Sequence, residues 1–217
     1  RHHVQALWSH QETWNNWTYR RDKDVKRWCI SKNIPWHEPV QNGVVRRLKS
    51  RDGWAALWYK HMNKPTVNVP DHLASHLDII DEVSDVPPSH TELRLFNDSC
   101  TSRQKGGREE GLRLLKSFLY SRGAGYTKEM SSPVTAFDSC SRLSAHLAFG
   151  TLSMREVFLD CERRNKEIRQ MPGNIRGKWP SALRSFSGRL RWHCHFIQKL
   201  EDDPRIEFQN MHAAYNG

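Results

Sequence analysis

Residues 63 to 106 divide this chain. Pro65, Pro70, Pro87 and Pro88 fall among polar and acidic residues there, and no helical or strand period survives. A stretch this long without its own pattern does not belong inside a compact core, so it reads as an interdomain linker. The pattern differs on its two sides. Residues 1 to 62 alternate short extended and longer helical segments, the grammar of an α/β domain. From Gly107 to Gly217 the pattern is helical throughout. The expected class is therefore α+β overall, with an α/β piece, a long linker and an all-α piece.

Within the first zone, Val4-Gln5-Ala6-Leu7-Trp8-Ser9 reads as a strand. Thr18 to Ser31 reads as a helix with Val25, Trp28 and Cys29 on one face. Asn33 to Val40 is a turn and a short extended piece. Asp52 is placed to cap a helix running through Trp54, Leu57, Trp58 and Met62. In the third zone Leu112, Leu115, Phe118 and Leu119 share a helical face. Ser144 to Cys161 continues the helical theme with Leu147, Val157 and Phe158. Leu183 to Leu200 offers Phe186, Leu190, Trp192, Phe196 and Leu200 for packing, after the basic turn Arg176-Gly177-Lys178-Trp179-Pro180.

Lysine and arginine number 34 against 24 acidic residues, a net charge of +10. That excess attracts polyanions, nucleic acid first among them. The basic residues are dispersed among aromatics, as in Arg189-Leu190-Arg191-Trp192-His193, and form no tail. No apolar run reaches the roughly 20 residues of a membrane helix, so no membrane partner is expected. The N-terminal residues Arg1 to Gln5 lack a signal-peptide core and an initiator methionine, and the sequence reads as an internal piece of a longer chain. Five scattered cysteines without a CxxC fit a reducing cytoplasm. Residues His193, Cys194 and His195 diverge by about 100° per step on a helix, so no metal site is expected. Ser/His/Asp triads and Walker-type phosphate loops are also missing from the pattern.

The chemistry-bearing stretch is Cys140-Ser141-Arg142-Leu143-Ser144, followed by the apolar run Ala145 to Leu152. Hydroxyls and one arginine ahead of a helix suit a phosphate grip, because the first N–H groups of a helix lack partners and the guanidinium adds a fixed charge. The same spelling also suits an ordinary serine-rich cap that holds no ligand.

This stretch resembles the diphosphate-binding segment of the cryptochrome/DNA photolyase family. The resemblance extends over Trp8-Ser9-His10-Gln11-Glu12-Thr13, Asn16 to Asp22, and Gln41-Asn42-Gly43-Val44-Val45-Arg46-Arg47-Leu48. It continues over Gly106 to Gly111, Tyr126, Met130-Ser131-Ser132-Pro133 and Arg189 to Leu200. It implies that residues 1–62 are the end of a Rossmann-like antenna domain. It also implies that 107–217 begin a helical FAD-binding domain, in which FAD folds into a U shape.

By that resemblance Tyr126, Cys140, Ser141, Arg142, Leu143 and Ser144 lie against the FAD diphosphate. Ser141 and Ser144 donate hydrogen bonds, Arg142 offsets charge and Leu143 packs. Trp192 matches the family tryptophan that flanks a DNA lesion beside the flavin, the catalytic position. Arg189, Arg191, Trp192 and His193 face nucleic acid. Arg189 stands where the family places a glutamate and can touch flavin or phosphate, but it cannot accept hydrogen bonds from a flipped pyrimidine. Ala145 stands for a proline and Cys140 for a threonine.

The implied activity is blue-light-driven repair of damaged DNA, duplex or single-stranded, by a cytoplasmic monomer (nucleoid-associated in a bacterium), with a second antenna chromophore left open. The alternatives are a cryptochrome-like photoreceptor or nucleic-acid binder without repair, and an inert truncated chain.

Overall fold

A computed structural model describes residues 4–72, 88–96 and 100–216. It is mostly helical with one small sheet, an α+β arrangement. Strand β1 (Leu7–Trp8) pairs in parallel with β2 (Trp36–His37), and helix α1 (Asn16–Ser31) makes the crossover. The Val4–Ser9 strand expected from sequence contracts to two residues, yet the pairing runs on. Leu7 N donates to Pro35 O at 2.8 Å, Ser9 N to His37 O at 3.1 Å and Gln11 N to Pro39 O at 3.0 Å. Asn15 caps α1, its side chain accepting from Thr18 N at 3.1 Å. Of the expected α1 face only Cys29 is buried; Trp28 is half exposed, because adjacent helical positions point about 100° apart and the contact side centres on Cys29.

Helix α2 (Trp54–Met62) starts from Gly53, which holds φ at 76°. Asp52 is therefore not its cap. A left-handed residue fits glycine there, and the Asp52 carboxylate instead accepts from Ser50 Oγ at 3.0 Å.

The helical part runs α3 (Arg108–Tyr120), a 3₁₀ turn (Arg122–Gly125), α4 (Tyr126–Glu129), α5 (Ala136–Ser139), α6 (Ser144–Ala148), α7 (Met154–Gln170), α8 (Gly173–Arg176) and α9 (Trp179–Asp202). The helical stretch expected over Ser144 to Cys161 is two helices, α6 and α7. Gly150 takes φ 68° and Ser153 caps α7 by accepting from Glu156 N at 3.0 Å. Two short 3₁₀ turns, Pro204–Glu207 and Ala213–Tyr215, follow α9.

Helix α9 is the axle of the fold. Ala182, Phe186, Leu190, Cys194 and Gln198, each four residues from the last, form its buried ridge. The ridge packs on α7 and α4. Phe186 meets Phe118 of α3 with ring centroids 4.6 Å apart. Trp58 of α2 is fully buried, edge-on to Phe158 of α7 at 5.2 Å. Val44, Trp54, Trp58 and Met62 thus share one core with the helices of the third zone. Trp192 and Phe196, read from sequence as packing residues, are 49% and 55% exposed on the opposite side of α9. Pro65, Pro70 and Pro88 lie in exposed chain without regular structure; Pro87 falls outside the described residues.

Candidate functional site

The Cys140–Ser144 stretch emerges from α5 as a tight loop. Arg142 has φ 63°, a left-handed conformation disfavoured for a side-chain-bearing residue. Leu143 follows in right-handed geometry and is fully buried. A left-handed residue followed by a right-handed one turns successive N–H groups to one side, the geometry of an anion nest. None of the backbone N–H groups of Ser141, Arg142, Leu143 and Ser144 donates a hydrogen bond among the described residues. Helix α6, however, has only five residues and no side-chain cap. A helix that short carries little dipole, so positive charge at this loop comes chiefly from side chains.

Those side chains converge on an open groove of about 640 Å3. Arg103, Lys105, Arg113, Arg122 and Arg142 line it, with Gln104, Leu114 and Phe137 between them, and only Glu110 and Asp138 oppose the charge. Glu110 is already engaged by a two-pronged bond from Arg113, Nε and Nη2 each at 2.7 Å, which holds its carboxyl below the usual range. Burial lowers the Arg122 pKa, and repulsion from Arg142 and Arg113 lowers it further. An anion in the groove would relieve that crowding. The Arg142 guanidinium lies over the Phe137 ring, 4.1 Å from its centroid.

Arg122 holds the loop from beneath. Its Nη1 donates to Asp138 O at 3.0 Å and to Cys140 O, and its Nη2 to Ser141 O at 2.7 Å and Leu114 O at 3.4 Å. From the other side Gln104 Nε2 donates to Arg142 O at 2.5 Å. Ser141 is half-buried and Ser144 exposed, and neither hydroxyl is hydrogen-bonded among the described residues.

Tyr126 is buried, edge-on to Phe118 at 5.4 Å. Burial raises its pKa, the Cys140 thiol adds to the rise and the Arg189 guanidinium opposes it, so these three groups are electrostatic neighbours. Arg189 is exposed with its guanidinium 4.8 Å from the Trp192 ring centre, and Trp192 meets Phe196 edge-on at 5.9 Å. His193 is exposed on the same side. Arg191 lies about 200° around the helix from Arg189. It turns to α2, where Nη1 donates to the Tyr59 hydroxyl at 3.3 Å. The expected nucleic-acid set is thus split between two faces of α9.

Sequence reasoning missed Arg122, Gln104, Arg113 and Phe137. Arg122 and Gln104 act on backbone carbonyls, which leave no spelling; the one available hint was a lone arginine ahead of Gly123-Ala124-Gly125. Among the described residues no three His, Cys, Asp or Glu side chains could hold a metal, and no helix is long and apolar enough to cross a membrane. No protein-family model matches the chain, and no curated protein matches it.

Proposed function

We propose that the groove beside Cys140–Ser144 holds the diphosphate of FAD and that the chain is a flavin-dependent protein of cryptochrome/DNA photolyase type. The observation that carries this reading is the convergence of five cationic side chains on the one loop whose spelling resembles the family's diphosphate segment. The groups present suit a diphosphate: the Arg142 guanidinium lines the groove, and in the adjoining loop the hydroxyls of Ser141 and Ser144, outside the groove lining, and the backbone N–H groups of residues 141–144 have no hydrogen-bond partner among the described residues. Bound reduced FAD would supply light-driven electron donation to a damaged base. The chain's own residues do the rest. Arg142 pairs with the diphosphate, Arg122 adds positive charge from beneath while its N–H groups hold the loop carbonyls, and Leu143 fixes the loop to the core. On this reading residues 1–62 are the end of a Rossmann-like antenna domain, residues 107–217 belong to the FAD-binding domain, and DNA is the partner.

Arg189 favours a second reading, a flavoprotein that binds nucleic acid or senses light without repairing dimers. Its exposed guanidinium over Trp192 donates only, where repair calls for an acceptor.

Reconstitution with FAD tests the first reading. The expected result is a yellow protein with structured blue absorption that loses flavin on Arg142→Ala. A colourless protein after removal of free FAD overturns it. In a yellow protein, the count of thymine dimers in irradiated DNA under blue light separates repair from the second reading.

A further inference from the structure

Arg142 sits in a left-handed conformation that is disfavoured for a residue with a side chain. Such a conformation persists only where the surroundings over-determine it. Leu143 anchors one end of the loop in the core, but α6 is short and neither Ser141 nor Ser144 caps it. What it has is a set of side-chain bonds to its carbonyls. The Arg122 guanidinium takes the carbonyls of Cys140 and Ser141 together with those of Asp138 and Leu114 from the neighbouring turns, and Gln104 takes that of Arg142 itself. The three consecutive carbonyls from 140 to 142 are thereby fixed, and the Arg142 side chain is left over the groove against Phe137.

We infer that Arg122, assisted by Gln104, is the positioning residue of the anion loop, and that it aims Arg142 into the groove. The inference rests on the diphosphate reading for its ligand, while the hold on the loop stands on geometry alone. A planar fork with five donors can span four carbonyls in fixed directions; an ammonium is a point charge and cannot. Charge and positioning therefore separate in the variant Arg122→Lys. Arg113→Ala is the companion variant, because Arg113 lines the same groove but, among the described residues, bonds only Glu110.

The experiment measures inorganic pyrophosphate binding by calorimetry, and the rate of tryptic cleavage after Arg142 relative to the cut after Arg191 within α9. Arg122→Lys is expected to weaken pyrophosphate binding about tenfold and to speed cleavage after Arg142 about tenfold, since charged hydrogen bonds of this kind are the strong class. Arg113→Ala is expected to weaken binding about threefold by loss of charge and to leave the cleavage ratio unchanged. Parental binding by Arg122→Lys, or an unchanged cleavage ratio in it, overturns the inference. A parent that binds no pyrophosphate refutes the diphosphate reading, and the cleavage ratio still decides whether Arg122 holds the loop.

Discussion

The side chain of Gln198 clasps the backbone of Val45: Oε1 accepts from Val45 N at 2.7 Å and Nε2 donates to Val45 O at 3.0 Å. Gln198 is fully buried on the α9 ridge, and its Nε2 also reaches Asp202 Oδ1 at 2.6 Å. An amide side chain here does the work of a β-partner for a loop that has none. Gln198→Leu keeps the volume and leaves a donor and an acceptor without partners. Each orphaned group costs about 1–3 kcal/mol, so the urea midpoint should shift by at least about 2 kcal/mol of stability. A midpoint at the parental value would show that the clasp contributes nothing.

Arg142 separates strain from charge. Arg142→Gly removes the guanidinium and relieves the left-handed backbone, whereas Arg142→Ala removes only the guanidinium. Thermal unfolding should rank the glycine variant above the alanine variant by about 0.5–1 kcal/mol. On the diphosphate reading, both should lose flavin retention alike.

Gly43 lies against the indole of Trp58, in which a Cβ would collide with Cδ1 and Nε1. Trp58 is fully buried and has nowhere to go. Gly43→Ala should destabilise by about 1–3 kcal/mol through overpacking, read by chemical denaturation, with near-ultraviolet circular dichroism reporting the displaced indole.

Two histidines meet arginines across helix boundaries. Arg155 Nη2 donates to His61 Nε2 at 3.3 Å, and Arg51 Nη2 to His195 Nδ1 at 2.6 Å. Arginine only donates, so each ring nitrogen must accept and each ring is neutral. Burial lowers the His61 pKa, with Arg155 and Lys64 adding. Burial lowers that of His195, with Arg51, Lys199 and Arg191 adding and Asp202 opposing. The folded state therefore binds fewer protons than the unfolded chain, and stability falls as pH drops from about 6.5 toward the depressed folded values. His61→Gln with His195→Asn keeps acceptors and removes the titration. The double variant should lose less stability than the parent between about pH 7.5 and pH 5.5. Equal losses would place the acid sensitivity elsewhere.

Arg189 is an exposed cation beside an exposed indole. Arg189→Ala should weaken oligonucleotide binding in fluorescence anisotropy and reduce the slope against log salt by about 1, the signature of one lost phosphate contact. An unchanged slope would remove Arg189 from the nucleic-acid surface.

Much of this architecture is written in local pattern. Phe186 and Leu190 of the α9 ridge follow from apolar spacing, whereas Ala182, Cys194 and the polar Gln198 carry no such mark, and the βαβ turnover follows from a helix between two short extended runs. Arg142 could be chosen because its neighbours are small and polar. The groove could not be foreseen, because one wall is the polar side of α3 and the others are brought against it by the loops on either side, whose conformations have no period. Gly53 displaced Asp52 as the α2 cap because a left-handed start is a backbone preference, and Gly150 breaks the helical stretch between α6 and α7 for the same reason. The packing of α2 into the helical core depends on contacts about a hundred residues or more apart, beyond the reach of any window of sequence.

That shared core sets the order of assembly on the ribosome. The Val45–Gln198 clasp joins positions 153 residues apart, so Trp54, Trp58 and Met62 leave the exit tunnel long before α7 and α9 exist to cover them. At a translation rate of about 5–20 residues per second, this greasy surface waits for several seconds in a nascent chain, and helper proteins that shield such surfaces would find their target there.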